Sequence, residues 1–338
     1  MRLIVSSINS GQAINYSVRP SKSIERKMIR DILSRLFVFA PLHEYTYIGF
    51  GSKYFVDFSL FHKTLNISKM ISLEQDSVNS ERYEFNKPYN CIKIEFRDSS
   101  SWLDQNDLDG NHIVWLDYDG GFDSGKVNDL KQLVRKLYSG SVFLFSFNYS
   151  LPKPEYLRRY QNDQIGKIKQ LFQDFFGRYE IGSDLDNLSE FQSRKEYFEK
   201  IIFYLEKVLF KVLETEKNDR MDAPERLKLK RIFNFTYKDG GPMATLGWLV
   251  VKESDESKFV NMNLDSFSFI DRDSLMLESY HIDPGNFTVR EIRYLNEVVT
   301  TLDTDLTPEK KKYFSDGEIN KFREIYKYFP SFTEVEAH

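Results

Sequence analysis

Residues 45–76, YTYIGFGSKYFVDFSLFHKTLNISKMISLEQD, determine the fold predicted for this chain. A short apolar run ends in Gly49-Phe50-Gly51-Ser52, a helix-like segment follows, and a second apolar run ends in Glu74. Strand, glycine turn, helix, strand and acid, in this order, open an α/β fold that binds a dinucleotide or a nucleoside. Glycine lets the backbone turn sharply and approach a ligand where a Cβ would clash. An acid at the tip of the second strand is placed to accept both hydroxyls of a ribose.

The alternation of strands and helices continues to residue 147. Strands are predicted at 45–49, 69–74, 91–96, 112–117 and 141–147, with helices at 53–65, 77–86 and 125–138. This alternation predicts a doubly wound, mostly parallel sheet. Because right-handed crossovers bring the carboxyl ends of parallel strands to one edge, the residues that end the strands are expected there together. They are Gly49, Glu74, Asp98 and Asp117.

The rest of the chain surrounds this core. A helix with one apolar face is predicted at 23–37, and residues 151–230 carry helical apolar stripes. Asp239-Gly240-Gly241 lies between two apolar runs and predicts an antiparallel hairpin over 231–251. The remaining tail is largely helical in pattern. The predicted segments are an N-terminal segment with a helix (1–40), a Rossmann-like core (41–150 and 231–251), a helical insertion (151–230) and a mostly helical C-terminal cap (252–338).

The composition is that of a soluble globular protein. The 338 residues are 41% hydrophobic and carry a net charge of −4, which argues against a globally basic nucleic-acid binder. Cys91 is the only cysteine, so an intramolecular disulfide and a cysteine-rich metal site are excluded. No apolar run approaches the roughly 18 residues of a membrane helix, and no signal-peptide pattern opens the sequence. We therefore expect a cytoplasmic protein without a membrane partner.

A parallel start closed by an antiparallel hairpin resembles the class I S-adenosylmethionine-dependent methyltransferase fold. The residues that carry the resemblance are Gly49-Phe50-Gly51-Ser52, Glu74, Asp98-Ser99-Ser100, Asp117 and the 231–251 hairpin. The resemblance implies a glycine loop under the methionine part of the cofactor and Glu74 at the ribose. It also implies Asp98 or Ser99 beside the adenine, and the tip of the fourth strand facing the methyl group. The cofactor-binding residues so predicted are Gly49, Phe50, Gly51, Ser52, Glu74, Asp98 and Ser99.

The chain departs from the family pattern at three positions. Lys53 stands where a third glycine is common, and Thr46 and Tyr47 lie in the place of an acid that often precedes the first glycine. A nicotinamide fingerprint fits less well, because Tyr54 replaces the glycine that lets helix and strand approach in that motif. A nicotinamide oxidoreductase therefore stays the weaker alternative.

The residues at the end of the fourth strand narrow the choice of methyl acceptor. Asp117-Tyr118-Asp119 lacks the prolines that base and protein-amide methyltransferases often carry there, and it resembles the metal-dependent O-methyltransferases. That resemblance implies an oxygen nucleophile, and a Mg²⁺ or Mn²⁺ ion held by Asp117 and Asn148, whose oxygens suit these ions. Without a metal, Asp117, Asp119 or His281, the last in a turn-rich segment, would act as the base.

Two further interpretations stay open. The same scaffold without catalysis would be a nucleotide-sensing or partner-binding protein. The basic stretch Arg19, Lys22, Arg26, Lys27 and Arg30 is interpreted as the solvated face of a helix, with contact to a phosphate backbone as the alternative. A small-molecule or nucleotide-like substrate is expected, and a nucleic acid is the weaker option. The oligomeric state is not predicted.

Overall fold

The computed structural model describes residues 19–160, 163–177, 185, 188, 190–191, 193–219, 225–270, 278–299 and 313–330. The start of the predicted N-terminal segment, together with parts of the predicted insertion and cap, lies outside these residues. Within them, one mixed sheet carries helices on both faces, which confirms the predicted α/β class. The division into four segments stays a prediction.

Eight strands of the described chain form the sheet. They are β1 (Thr46–Gly49), β2 (Lys69–Leu73), β3 (Ile92–Glu95), β4 (His112–Gly121), β5 (Val142–Asn148), β6 (Leu227–Asp239), β7 (Gly241–Lys252) and β8 (Tyr280–Ile282). Their order is β3-β2-β1-β4-β5-β7-β6-β8. Strands β1 to β5 run parallel, and β7 is antiparallel to both β5 and β6. The sheet is therefore mostly parallel with an antiparallel hairpin, as predicted.

Helices fill the connections between the strands and the segments that flank the sheet. They are α1 (Pro20–Ser34), α2 (Val56–Leu65), α3 (Ser80–Asn86), α4 (Ser99–Gln105), α5 (Ser124–Lys136), α6 (Pro154–Leu157), α7 (Gln164–Phe176), α8 (Arg194–Leu213), α9 (Glu256–Asn261), α10 (Val289–Val299) and α11 (Asp316–Ile325). Across the described residues, none of these helices combines the length and the apolar character needed to cross a membrane.

The sheet separates two apolar cores. Along β5, Phe143 and Phe145 belong to one core while Val142 and Leu144 belong to the other, because successive strand side chains point to opposite faces. The first core is completed by α4, α5, α7 and α8, and the second by α1 and α2. β5 is consequently apolar on both faces from Val142 to Phe145, as expected for a central parallel strand covered on both faces.

Two elements were missed by the sequence analysis. Helix α4 has seven residues, too few for a helical period, although Asp98 supplies a cap by accepting a hydrogen bond from the Ser101 backbone N–H at 2.9 Å. Strand β8 has three residues and pairs in parallel with β6. His281 therefore lies in an added strand of the sheet rather than in a turn.

Helix α1 corrects the interpretation of its basic residues. Lys22 and Arg26 are only 2% and 6% exposed, so they do not belong to a solvated face. The physical reason is that the helix lies at the carboxyl edge of the sheet, where the Lys22 ammonium meets the carboxylate of Asp117. These charges are compensated by acids of the protein instead of by water or by phosphates.

The packing of α8 gives the first prediction. Leu205 is fully buried in the first core, so Leu205→Ala should lower the free energy of unfolding by about 2–5 kcal/mol through the cavity it leaves. Phe210 on the same helix is 41% exposed, and Phe210→Ala should cost about 1 kcal/mol or less. Urea denaturation measures both. Equal losses for the two variants would mean that α8 does not pack on the sheet.

Candidate active site

A cleft of about 290 Å³ opens at the carboxyl edge of the sheet. Its lining comes from the loop after β1, the tips of β2 and β3, the end of β4, and from α1 and α2. The topology therefore brings together most of the residues predicted from sequence. Those that line the cleft are Phe50, Gly51, Ser52, Glu74, Ser99, Asp117 and Asp119.

The glycine loop is tied to the tip of β2. The Gly51 backbone N–H donates to Ser72 Oγ at 3.0 Å, and Ser72 Oγ donates to Glu74 Oε1 at 2.8 Å. A Cβ on Gly51 would lie 2.5 Å from the ring of Phe55 and 2.7 Å from Ser72 Oγ. Only glycine fits a backbone held this close. Ser72, which the sequence analysis passed over, is thus the link between loop and acid.

Glu74 is placed at the tip of β2 with 7% of its surface exposed. Burial raises the pKa of its carboxyl to about 7, and the hydrogen bond from Ser72 opposes that rise only in part. The side chain is therefore close to half-ionised at neutral pH. A perturbed acid inside a cleft is a marker of functional sites.

The wall formed by the ends of β3 and β4 carries a hydroxyl cluster. Ser99 Oγ and Tyr118 Oη each donate to Asp129 Oδ2 at 2.5 Å. Burial, followed by the nearby Asp129 charge, raises the pKa of Tyr118 far above its ordinary value. Asp98, the alternative to Ser99, does not line the cleft, because its carboxylate caps α4.

Asp117 is held by a lysine that the sequence did not indicate. Lys22 Nζ lies 2.7 Å from Asp117 Oδ1 and 2.8 Å from Glu25 Oε2. It also lies 3.1 Å from Tyr237 Oη and 4.6 Å above the ring of Trp115. Burial acts to raise the pKa of Asp117, but the Lys22 ammonium outweighs it and holds that pKa below its usual range. A carboxylate paired in this way is a poor proton acceptor.

The opposite end of the cleft, near α1 and α2, also contains charges that were not predicted. Arg26 and Asp57 both line the cleft and are both buried. The Tyr47 hydroxyl donates a hydrogen bond to Asp57. Burial raises the pKa of Asp57, and Arg26 acts against that rise. The acid missing from position 47 is therefore replaced in space by a carboxylate from α2.

Besides Asp98, three predicted site residues do not line the cleft. Gly49 lies beneath the loop, where an added Cβ would meet the Tyr47 hydroxyl at 2.6 Å. His281 is on β8, four strands from β4, and its Nδ1 lies 3.2 Å from Thr236 Oγ1. Asn148 Oδ1 accepts a hydrogen bond from the Ser150 backbone N–H at 2.8 Å.

The metal prediction is not supported. No group of three His, Cys, Asp or Glu side chains that could hold a cation occurs in the described part of the chain. Asp117 is opposite Ser146 in the sheet, whereas Asn148 is opposite Gly121, and an oxygen of each side chain is already bonded within the protein. Nothing in this geometry favours Mg²⁺ or Mn²⁺ at these two residues.

The fold and the cleft together define a class of protein. A mostly parallel sheet with an antiparallel hairpin, a glycine loop and an acid at the tip of β2 is the architecture of the class I S-adenosylmethionine-dependent methyltransferases. A family model described as "Putative O-methyltransferase" matches residues 14–337. The chain therefore belongs to this family, and the membership supports methyl transfer from S-adenosylmethionine.

Solved structures give distant matches. A chain of the fibrillarin/Nop5p complex is 9% identical, with a TM-score of 0.35 over 62% of this chain and 73% of that one. N-methyltransferase NodS from Bradyrhizobium japonicum WM9, solved with S-adenosylhomocysteine, is 8% identical (TM-score 0.35; 69% and 88%). Mitomycin 7-O-methyltransferase is 13% identical (TM-score 0.31; 65% and 54%). These likenesses are too distant to indicate an activity. No curated protein matches the sequence significantly.

The ion pair at Asp117 gives the second prediction. Lys22→Met would leave Asp117 and Glu25 buried without their cation, so it should lower the free energy of unfolding by about 3–5 kcal/mol. Lys87 pairs at 2.7 Å with the half-exposed Glu84, and Lys87→Met should cost about 1 kcal/mol or less. Urea denaturation measures both variants. A Lys22→Met protein as stable as the wild type would show that the edge of the sheet does not need this ammonium.

Proposed function

We propose that this protein transfers the methyl group of S-adenosylmethionine to an oxygen nucleophile of a small-molecule or nucleotide-like substrate. The observation that carries the proposal is the hydrogen-bonded series from the Gly51 N–H through Ser72 to Glu74. It fixes a carboxylate beside the glycine loop in the same cleft. The family description supports the choice of oxygen.

The residues of the cleft fit the cofactor. Glu74 presents a carboxylate, the group that accepts hydrogen bonds from two vicinal hydroxyls. A side chain at Gly51 would collide with Phe55 and Ser72, so only glycine lets the loop take its place beside Glu74. Arg26 and Asp57, of opposite charge, complement an amino acid's carboxylate and ammonium. When bound, S-adenosylmethionine supplies a methyl group activated on a sulfonium.

Proton removal falls to the residues at the end of β4. Asp119 lines the cleft and is exposed, whereas Asp117 is held by Lys22. A base must reach the proton that it removes, directly or through one water. We therefore assign Asp119 as the proton acceptor for the attacking hydroxyl. The role of Asp117 is then to hold the end of α1 over the cleft.

Binding of S-adenosylhomocysteine tests the cofactor assignment. We expect a dissociation constant on the order of micromolar by calorimetry, with no binding of NAD⁺. Glu74→Gln removes the charged acceptor and should weaken binding by about tenfold or more. Glu81→Gln, on the exposed side of α3, is the control and should change nothing. Binding of NAD⁺ by the wild type, or undiminished binding of S-adenosylhomocysteine by the Glu74→Gln variant, contradicts the assignment.

The pH dependence of that binding follows from the raised pKa of Glu74. Ribose hydroxyls donate to the ionised carboxylate, so binding below the pKa of about 7 requires the loss of a proton. The affinity should therefore fall about tenfold from roughly pH 8 to roughly pH 6, and the Glu74→Gln protein should lose this dependence.

Other titratable groups line the cleft, and the Glu74→Gln protein separates their effect from that of Glu74. They are Arg26, Asp57, Asp76, Tyr83, Arg97, Asp117, Tyr118, Asp119 and Lys126. If the wild-type affinity rose on acidification, or if the variant kept the same slope, Glu74 would not be the group that titrates. Calorimetry at a series of pH values provides the measurement.

A further inference from the structure

A groove of about 290 Å³ lies between helices α1 and α2. Within the described chain, its lining contains three cations, three hydroxyls and no acid. The polar side chains that line it are those of Ser23, Arg26, Lys27, Ser59, Lys63 and Thr64. Cations that face one space from two neighbouring helices repel one another unless an opposite charge lies between them. The groove therefore favours an anion.

The groove adjoins the cleft at Arg26 and Val56, which line both spaces. The charge of Arg26 is balanced on the cleft side, where it acts against the rise in the pKa of Asp57. Lys27 and Lys63, by contrast, line the groove and are absent from the described lining of the cleft. The positive charge that is left for a ligand of the groove is therefore that of these two lysines.

Both lysines have hydrogens to donate to an anion. Lys27 Nζ donates to the backbone oxygens of Tyr328 and Phe329, each at 3.0 Å. An ammonium carries three hydrogens, so a third remains for the groove. Burial, followed by the nearby Arg30 charge, lowers the pKa of Lys27, and an anion beside it would offset both effects. Lys63 is exposed on α2, and the described lining offers it no carboxylate.

The charge and size of the groove indicate which anion fits. A phosphate monoester carries about −1.5 to −2 charges near neutral pH, which two ammonium groups can balance, whereas a carboxylate carries only one charge. The volume of about 290 Å³ holds a phosphate and part of the molecule that bears it, but not a run of nucleotides. Val56, at the cleft, and Lys63 lie about 10 Å apart along α2. A molecule of modest size can therefore reach from the lysines into the cleft.

We propose that the groove between α1 and α2 binds the phosphate group of a phosphorylated small molecule, and that this molecule is the methyl acceptor. Its phosphate lies between Lys27 and Lys63, and its hydroxyl reaches into the adjoining cleft. The hydroxyl oxygen bonds to the methyl carbon as the bond from that carbon to sulfur breaks, and Asp119 takes the proton. The phosphate only holds the molecule. The inference rests on the proposed function, because it assigns the phosphate to the methyl acceptor.

The test is calorimetric titration with ribose 5-phosphate, with ribose as the unphosphorylated control. We expect ribose 5-phosphate to bind with a dissociation constant on the order of 1 mM, and ribose not to bind. The binding should persist when S-adenosylhomocysteine saturates the protein, since the acceptor and the cofactor must be held at the same time. If the two compounds displace each other, the phosphate lies in the cofactor cleft and the inference is overturned.

Variants of Lys63 show whether the phosphate lies in the groove. Lys63→Glu reverses a charge and should weaken the binding of ribose 5-phosphate at least about tenfold, whereas Lys63→Arg should keep it within about threefold. Because Lys63 is exposed and outside the cleft, both variants should keep the thermal stability and the affinity for S-adenosylhomocysteine. Lys207→Glu, exposed on α8 across the sheet, is the matched control and should change none of these quantities. Wild-type affinity for ribose 5-phosphate in Lys63→Glu overturns the proposal.

A short single strand of polythymidine distinguishes the phosphate of a small molecule from that of a nucleic-acid backbone. If the strand binds and loses affinity in Lys63→Glu, while ribose 5-phosphate does not bind, the groove holds a backbone and the inference fails. If the protein binds S-adenosylhomocysteine but neither phosphate compound, the inference fails and the proposed function stands. If it does not bind S-adenosylhomocysteine, the proposed function fails, and the inference with it.

Discussion

A buried ammonium at the edge of the sheet is the contact on which the active-site end of this protein depends. Lys22 enters from α1 and meets Asp117 of β4, Glu25 of its own helix and Tyr237 of β6. Removing such charges from water is costly, and only close partners offset the cost. The helix is thereby fixed across strands that are far apart in sequence. Because α1 is fixed in this position, Arg26, the residue after Glu25, lines the cleft.

The contact between Lys22 and Asp117 also makes the acids of the cleft differ in pKa. Opposite charge lowers the pKa of Asp117, whereas burial without a cation raises that of Glu74 to about 7. One carboxylate is thus fixed in place as an anion, and the other can change its protonation state near neutrality. Asp119, two residues beyond Asp117, is exposed and lies outside that buried layer. Three acids along one edge of a sheet therefore have three different environments: Asp117 is paired with a cation, Glu74 is buried, and Asp119 is exposed.

The features of this structure that could be predicted are those that depend on local patterns in the sequence. The five parallel strands and the hairpin each have their own apolar run, and Gly51 and Glu74 end such runs, so fold and cofactor edge could be inferred together. Lys22 and Asp129 could not, because their partners lie 95 and 30 residues away. On α1, the helical spacing of Lys22 is the one that a residue on a solvated face would also have, so the spacing does not reveal that Lys22 is buried. His281 was misplaced because a three-residue strand carries no period.

The residue types at the end of a strand do not by themselves determine whether their side chains donate or accept hydrogen bonds. A serine and a tyrosine are ambiguous in sequence, since each hydroxyl both donates and accepts. Asp129 on α5 removes the ambiguity, because it accepts a hydrogen bond from each of the two hydroxyls. The same reasoning applies to Ser72, which donates to Glu74 and so accepts from Gly51. In both places a buried carboxylate sets the direction of a hydroxyl.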